Sequence, residues 1–180
     1  MHTSAIETKN LRLLPHAPAH FRALIQGPAL YEQSFGARPA EGLRDFIVSK
    51  DVSPDYLAQL DNSTSVDPWK HGFALLHKAT CTVIGFAGFK GPPGVDGEVE
   101  IAYAVVPCHQ GKGFATEAAQ ALVGCAMSSG RVRVVRAHTL PEPNDSTRVL
   151  AKCGFRHVGS VTDPEDGLVW RWEKELNALD

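Results

Sequence analysis

A short glycine-containing segment in the second half of the chain is the first candidate for chemistry. Residues 109–116 read HQGKGFAT, between an apolar strand-like run and an alanine-rich helix-like run. A strand that passes through such a turn into a helix presents several N–H groups and the positive end of the helix dipole at one point, where anions bind. Gly111 and Gly113 allow close approach of the backbone to a ligand, and Lys112 adds a positive charge. The segment therefore predicts a phosphate site, with a pyrophosphate as the natural ligand.

Two common phosphate-binding motifs do not fit this segment. The P-loop needs a glycine where the chain has Val106, and a serine or threonine where it has Gly113. The dinucleotide motif G-x-G-x-x-G meets Thr116 at its third glycine, with no convincing acidic residue about 20 positions later. A third pattern does fit: Gln or Arg, two residues, Gly, one residue, then Gly or Ala, here Gln110, Gly113 and Ala115. The alternatives are a tight connection without a ligand and a nucleotide-binding module of another kind.

Two carboxylates and a cysteine–histidine pair are candidates for proton transfer or nucleophilic attack. Glu98 and Glu100 belong to the run EVEIAYAV, and side chains two apart on a strand point to the same face. Glu98 is closer to the turn and is expected to be the more exposed of the two. Cys108 beside His109 could form an activated thiolate. Sequence neighbours at a strand end generally point apart, however, and no third orienting group is evident.

The remaining cysteines and histidines are interpreted as structural. The chain has four widely spaced cysteines, Cys81, Cys108, Cys125 and Cys153. They lack C-x-x-C and zinc-ligand spacing, so no metal site is expected. Cys81 is predicted in a strand and Cys125 and Cys153 on apolar helix faces, as small hydrophobic residues. His77 and His138 are interpreted as strand residues that are exposed or locally hydrogen-bonded.

Composition narrows the class of protein. The chain has 180 residues, of which 43% are hydrophobic and 21% charged, with a net charge of -2. These values are typical of a globular protein, and we expect a single domain over residues 1–180. The charge argues against a nucleic-acid partner, and Arg131, Arg133 and Arg136 are predicted to lie on the solvated side of a strand. No apolar run approaches the ~20 residues of a membrane span, and no signal core is recognised, so a cytoplasmic protein without a membrane partner is expected.

The first half of the chain predicts one strand and several helices. IETKNLRLLPH alternates apolar and polar residues and predicts a strand that ends near Pro15, while PAHFRALIQG predicts a helix that stops at Gly27. Residues 28–71 are harder to interpret. AEGLRDFIVS and SPDYLAQLDN each predict a short helix, the second with Ser53 as N-cap and Pro54 at the first helical position. STSVDPWKHG predicts a polar loop.

The second half predicts a mixed sheet. From Gly72 onward, GFALLHK, CTVIGFAGFK and EVEIAYAVV predict an antiparallel meander. A helix of about 15 residues that stops at Gly130, and then the strand VRVVRAHT, require a parallel strand pair. A short helix capped by Asp145 or Ser146 and ending at Gly154 precedes two last strands. The fold class is therefore α/β (α+β mixed), with a mostly antiparallel sheet and helices on both faces.

Several stretches together resemble the GCN5-related N-acetyltransferase (GNAT) superfamily. They are EIAYAVVP before the loop, TEAAQAL after it and HTLPEPNDSTRVLAKCGF further along, with the pattern at Gln110, Gly113 and Ala115 between them. The first strand region, IETKNLRLLPH, is similar to the branch that resembles the RimJ and RimL ribosomal-protein N-terminal acetyltransferases. The resemblance covers nearly the whole chain apart from residues 28–71.

This resemblance implies a site for acetyl-CoA. The strand before the loop would splay from the next parallel strand, and acetyl-CoA would lie in the V-shaped gap. Its pyrophosphate would be bound by backbone amides of the loop, and its pantetheine arm would pair with the strand as an added strand does. The implied cofactor-binding residues are Gln110, Gly111, Lys112, Gly113, Phe114, Ala115 and Thr116 in the loop, Ala104, Val105 and Val106 on the strand, and Asn144 and Ser146 in the later segment, as a CoA contact and a helix cap.

The resemblance also assigns chemistry. A lysine with a pKa of ~10.4 is almost wholly protonated at pH 7 and needs a base more than an α-amine with a pKa of ~8. The family places its base carboxylate on this strand, often acting through a water, and Glu100 matches that position. A strand amide near Val105 would bind the oxyanion. Related enzymes often protonate the thiolate with a tyrosine where this chain has Leu150 or Ala151; no tyrosine follows Tyr103, so water or another hydroxyl would serve.

The expected function is an acetyl-CoA-dependent N-acetyltransferase. Its acceptor would be the primary amine of a protein N-terminus, a peptide or a small molecule. The alternative is a CoA-binding module without catalysis that senses CoA or binds a partner. The sequence leaves a homodimer open and does not select the amine. Phe35, Trp69 and Phe73 are candidates for an acceptor pocket, although aromatic residues at such positions are more often core.

Overall fold

The protein combines one large sheet with six α-helices in the residues that the computed structural model describes, 4–48, 64–164 and 166–176. The strands are β1 (Ile6–Glu7), β2 (Leu11–Pro15), β3 (Arg38–Pro39), β4 (Phe73–His77), β5 (Thr82–Phe89), β6 (Glu98–Val105), β7 (Val134–Thr139), β8 (Arg156–Asp163) and β9 (Gly167–Glu175). The helices are α1 (Pro18–Gln26), α2 (Pro28–Phe35), α3 (Asp45–Val48), α4 (Pro68–His71), α5 (Phe114–Ser128) and α6 (Asp145–Lys152). The strand order is β1-β2-β4-β5-β6-β7-β9-β8, and β3 pairs with β5.

The first strand and helix confirm the sequence prediction. Strand β2 ends at Pro15, and helix α1 ends directly before Gly27. Phe21 and Leu24 of α1 are buried, which places the apolar stripe of this helix against the sheet.

The region that was hardest to interpret contains more helix than predicted. Helix α2 was not predicted, and α3 covers part of AEGLRDFIVS. The predicted polar loop STSVDPWKHG is wrong in its second half, because the Asp67 side chain accepts a hydrogen bond from Trp69 N–H at 3.0 Å and caps the single turn of α4. The helix predicted for SPDYLAQLDN, with Ser53 and Pro54, lies outside the described residues.

The meander and the parallel crossover are confirmed. Strands β4, β5 and β6 pair antiparallel in sequence order, and β6 pairs parallel with β7 after the 15-residue helix α5. Helix α5 packs on β5 and β6 through a buried row that includes Ala118, Leu122 and Ala126. No helix in these ranges has both the length and the apolar character to cross a membrane.

Strands β6 and β7 separate after a short paired stretch. Only Glu98, Val99 and Glu100 of β6 pair with β7. Beyond them β6 stays paired with β5 as far as Val105, whereas β7 stays paired with β9 as far as Thr139. The two strands therefore diverge and form the predicted V-shaped splay.

Two surface predictions were wrong. Cys81 is not a strand residue: it is exposed, with a φ of 51° in the turn before β5. Arg136 is not simply solvated, because its guanidinium forms ion pairs with Glu98 and with Glu173 across the sheet. Arg131 and Arg133 precede β7, and Arg133 donates to the backbone oxygen of Asp96.

Candidate active site

The splay between β6 and β7 opens into a cleft of about 610 Å³. Its walls come from the two diverging strands, the start of α6 and the β8–β9 turn. The lining residues are Lys90, Glu100, Ile101, Ala102, Tyr103, Ala137, His138, Thr139, Leu140, Asn144, Asp145, Ser146, Asp166 and Val169. Polar side chains from four separate elements thus meet where the sheet opens.

Glu100 lies at the apex of the cleft, at the last β6–β7 pair. Its side chain is 22% exposed, and its Oε1 forms an ion pair with Lys90 Nζ at 2.7 Å. Burial by itself would lower the pKa of Lys90, but the hydrogen bond and the charge of Glu100 outweigh burial and raise it. The Lys90 ammonium group therefore stays protonated and places a positive charge beside the predicted base. Glu98, the other candidate, is bound to Arg136 and is not in the cleft lining.

His138 is a cleft residue that the sequence interpretation missed. Its side chain is 16% exposed, and Nδ1 lies 3.2 Å from Glu100 Oε1. That nitrogen is buried and makes no hydrogen bond with the described residues, so the short contact is not aligned for one. The prediction of an exposed or locally bonded histidine was wrong here, whereas His77 does bond locally, with Thr80 Oγ1 at 2.9 Å from its Nδ1.

The backbone of β6 turns alternate residues toward the gap. Lys90 N–H, after β5, donates to Glu100 O of β6 at 2.9 Å, and Val106 N–H, after β6, donates to Ile84 O of β5 at 2.9 Å. The even-numbered residues of β6 therefore form its hydrogen bonds to β5. In an antiparallel ladder the residues between them direct their N–H and C=O groups the other way. Tyr103 and Val105 therefore direct their backbone groups into the splay. Of the predicted pantetheine neighbours Ala104, Val105 and Val106, only Val105 has this orientation.

The loop after β6 is held by its own side chains. Gln110 Nε2 donates to Val105 O at 2.8 Å, and Lys112 Nζ donates to Cys108 O at 2.9 Å. Gly111 and Gly113 have φ values of 72° and 85°, and Gly113 is the N-cap of α5. Left-handed backbone of this kind strongly favours glycine. The glycines are thus required by the path of the chain, and Lys112 is committed to the loop itself.

The start of α5 presents backbone N–H groups at the end of the gap. Glu117 N–H donates to Gly113 O in the first helical hydrogen bond, so the N–H groups of Phe114, Ala115 and Thr116 precede the first intrahelical donor. The Phe114 ring is buried and packs against His77 at 4.9 Å, which leaves only its backbone for a ligand. This geometry suits an anion at the predicted pyrophosphate position.

Cys108 and His109 do not point apart as predicted. Cys108 Sγ lies 3.1 Å from His109 Nδ1, and the thiol is exposed. Burial lowers the pKa of His109, and the charges of Lys112 and His77 add to that effect. An imidazole that resists protonation is a weak stabiliser of a thiolate, and neither residue lines the cleft.

The start of α6 differs from the predicted cap and brings in a tyrosine. Asn144 is the N-cap, with its Oδ1 accepting from Thr147 N–H at 3.0 Å, so the prediction of Asp145 or Ser146 was wrong. Tyr103 Oη donates to Ser146 O at 3.5 Å, and burial raises the pKa of that hydroxyl.

Neither Leu150 nor Ala151, where related enzymes carry a tyrosine, is placed to contact a ligand in the cleft. Leu150 is fully buried, and Ala151 is exposed outside the cleft. Alternation along β6 places Tyr103 on the face opposite to Glu100, but its contact with the start of α6 could not be predicted from that pattern.

The aromatic candidates for an acceptor pocket lie elsewhere. Trp69 and Phe73 are buried core residues, and Phe35 packs in a cluster with His16, His20 and Tyr31. None of the three predicted residues lines the cleft.

Comparison with known proteins agrees with this architecture. Residues 10–156 match the family model of the acetyltransferase (GNAT) domain. A relative from Bacillus licheniformis, the uncharacterized N-acetyltransferase p20, is 32% identical over 109 residues. That alignment covers 61% of this chain and 61% of the relative, so the chain matches the relative over less than two thirds of its length.

Solved structures share the fold at low sequence identity. RimL, a ribosomal L7/L12 α-N-protein acetyltransferase in complex with coenzyme A, aligns with a TM-score of 0.68 at 16% identity, over 97% of this chain and 99% of RimL. MccE, a microcin C7 self-immunity acetyltransferase in complex with acetyl-CoA and AMP, aligns with a TM-score of 0.63 at 16% identity, over 94% of each chain. With the splayed sheet, the glycine loop and a family match over most of its length, this chain belongs to the GNAT acetyltransferase family.

Proposed function

We propose that this protein is an acetyl-CoA-dependent N-acetyltransferase of the RimJ/RimL-like type that acetylates a primary amine of a protein N-terminus, a peptide or a small molecule. The observation that carries the proposal is the splay itself, which has Glu100 at its apex and the N-terminus of α5 at its open end. The CoA bound to RimL and the acetyl-CoA bound to MccE support the choice of cofactor. The family membership supports the reaction class.

CoA would be held mainly by the backbone. The pyrophosphate would lie against the N–H groups of residues 111–115, with the Thr116 hydroxyl as a further contact. The pantetheine arm would run along the edge of β6 beside Val105, whose C=O is bonded to Gln110 and whose N–H is left for the thioester oxygen. Asn144 and Ser146 line the same cleft and would contact the arm from α6.

The chemistry requires two proton movements. The amine nitrogen attacks the thioester carbon, which forms the C–N bond and puts the carbonyl electrons on oxygen, near the N–H of Val105. The amine gives up its extra proton toward Glu100. The electron pair on oxygen then re-forms the C=O bond as the C–S bond breaks with its electron pair on sulfur. The Tyr103 hydroxyl protonates this thiolate and regains a proton from solvent. Glu100 and Tyr103 suit these roles because they lie on opposite faces of β6.

The test is release of free CoA from acetyl-CoA in the presence of a panel of amines, compared between wild type and Glu100→Gln. We expect turnover by the wild type and a loss of at least about tenfold in kcat in the variant, with the Kd for CoA within twofold. Glu98→Gln is the matched control, since Glu98 is a carboxylate on the same strand face outside the cleft, and its kcat should change less than threefold.

The alternative is a CoA-binding module without catalysis, which the ion pair between Glu100 and Lys90 favours because it leaves the carboxylate already engaged. CoA-dependent stabilisation without turnover on any amine would support that alternative and contradict the proposal.

A further inference from the structure

His138 is the titratable side chain closest to the proposed base across the splay. It belongs to β7 and Glu100 to β6, and the two strands separate at this level. The distance from Nδ1 to Glu100 Oε1 is 3.2 Å, and the ring lines the same cleft. A buried ring nitrogen without a hydrogen bond is costly, so its position facing a carboxylate requires an explanation.

Glu100 is poorly placed to hold a proton by itself. Lys90 donates to the same oxygen, Oε1, that faces His138, so that oxygen already has one charged partner. Histidine ordinarily titrates near pH 6.5 and carboxylates near pH 4, and a proton acceptor works best when it titrates near the working pH. The proton would therefore be held better on the imidazole than on Glu100.

We propose, on the basis of the function proposed above, that His138 and Glu100 form a proton relay across the splay, in which Glu100 takes the proton from the amine and passes it to His138. The imidazole starts neutral, with its proton on Nε2, and receives the second proton on Nδ1. It then releases a proton to solvent, which restores both groups. His138 is a relay residue rather than a residue that touches the amine.

The charged groups near the His138 ring are two arginines from the sheet and four residues that line the cleft. Arg171 is the cross-strand partner of His138 on β9, and its guanidinium is bound to Glu173. Arg136, two residues earlier on the same face, is bound to Glu98 and Glu173. The groups that line the cleft itself are Glu100, Lys90, Asp145 and Asp166. The arginines are thus already paired, and Glu100 is the acidic group in contact with the ring, at 3.2 Å from Nδ1.

The first test compares kcat/KM of wild type and His138→Gln from pH 5 to pH 9 with one amine. The amine's own protonation cancels in the ratio of the two enzymes. We expect a ratio near one at pH 5, where an imidazole is ordinarily protonated and cannot accept a proton, and a rise to at least about tenfold above pH 8. A ratio that does not change with pH would overturn the relay, whether it equals one or reflects a purely structural loss.

His157→Gln is the matched control for this experiment. His157 is an exposed strand histidine that packs on Trp170 and Trp172 outside the cleft. Its ratio should stay near one at every pH.

A second test does not depend on turnover. The titration of the His138 ring is followed by nitrogen-15 NMR in wild type and in Glu100→Gln. We expect the variant to titrate at lower pH, because it lacks the anion that stabilises the imidazolium. An unchanged midpoint would overturn the coupling. If wild type turns over no amine, the proposed function fails, and the NMR comparison still decides whether the two residues are coupled.

Discussion

At the scale of single residues, the cleft gathers polar groups that no local sequence pattern links. Glu100 could be chosen from the sequence because alternation along one strand and the family resemblance both point to it. His138 and Tyr103 could not, since their roles depend on which strand lies beside β6 and where α6 begins. The register between strands, and not the residue types, made these two side chains part of the site.

Tyr103→Phe tests the proposed proton donor. A tyrosine is ordinarily protonated at neutral pH, and burial raises the pKa of Tyr103 further, so the hydroxyl holds a proton that can pass to the thiolate. We expect kcat to fall by at least about tenfold with the Kd for CoA within threefold, measured by steady-state kinetics and calorimetry. Tyr31→Phe removes the hydroxyl of another buried tyrosine, bonded to His16 at 3.0 Å outside the cleft, and should leave kcat within twofold. Equal losses in the two variants would refute a catalytic role for Tyr103.

At the scale of elements, the unit from β6 to α5 joins the proposed reaction centre to the proposed anion site. Its strand and helix were predictable because their hydrophobic periods are long and clear. The cap of α6 and the one-turn helix α4 were not, since each depends on a single side chain that accepts a backbone hydrogen bond, Asn144 or Asp67. Helix α2 was missed because only Tyr31 of its eight residues is buried, which leaves little apolar periodicity to recognise.

Gly113→Val tests the loop. A β-branched residue at a φ of 85° is strained by about 1–2 kcal/mol. The loop should relieve this strain by rotating the amides that precede α5, which would raise the Kd for CoA at least about tenfold in calorimetry. Gly124→Ala is the control, since Gly124 is an exposed residue inside the same helix with open space around its Cα. That variant should bind CoA normally and be more stable by up to about 1 kcal/mol. Normal affinity in Gly113→Val would contradict the proposed loop function.

At the scale of the whole molecule, the turn before β2 is hydrogen-bonded to α5, the helix that begins at the proposed anion site. The Glu117 carboxylate of α5 accepts hydrogen bonds from Thr8 Oγ1 at 2.5 Å, Asn10 N–H at 2.6 Å and Leu11 N–H at 3.1 Å. The residues are more than 100 positions apart in the chain. No sequence pattern indicated this contact, because each partner is an ordinary turn or helix residue when considered alone.

Glu117→Gln tests how much the hydrogen bonds of the Glu117 carboxylate contribute to the stability of the fold. Burial would raise the pKa of Glu117, but the hydrogen bonds from Thr8, Asn10 and Leu11 outweigh it and lower the pKa below the ordinary 4.5. The stabilisation by the ionised Glu117 carboxylate is therefore complete above about pH 5 and is lost as the pH falls through the lowered pKa of Glu117. At pH 7 we expect a loss of about 1 kcal/mol, allowing for solvent screening, and a Tm lower by about 2–4 °C.

The pH dependence of Tm provides the contrast for this variant. The difference between wild type and Glu117→Gln should shrink between pH 5 and pH 3 as Glu117 becomes protonated. Glu175→Gln removes an exposed ion pair with Arg156 and should change the stability at pH 7 by less than about 0.5 kcal/mol. A Tm difference for Glu117→Gln that is constant with pH would show that the carboxylate charge is not responsible.

The divergence of β6 and β7 has a consequence for solubility as well as for chemistry. It creates two strand edges in the middle of a sheet, with backbone groups of Tyr103 and Val105 directed outward as they are at a sheet margin. Strand edges pair with any extended chain that reaches them, which is the origin of much β aggregation. A bound pantetheine arm would occupy this edge. Under the proposed function, bound CoA would then also protect this edge from pairing with other chains.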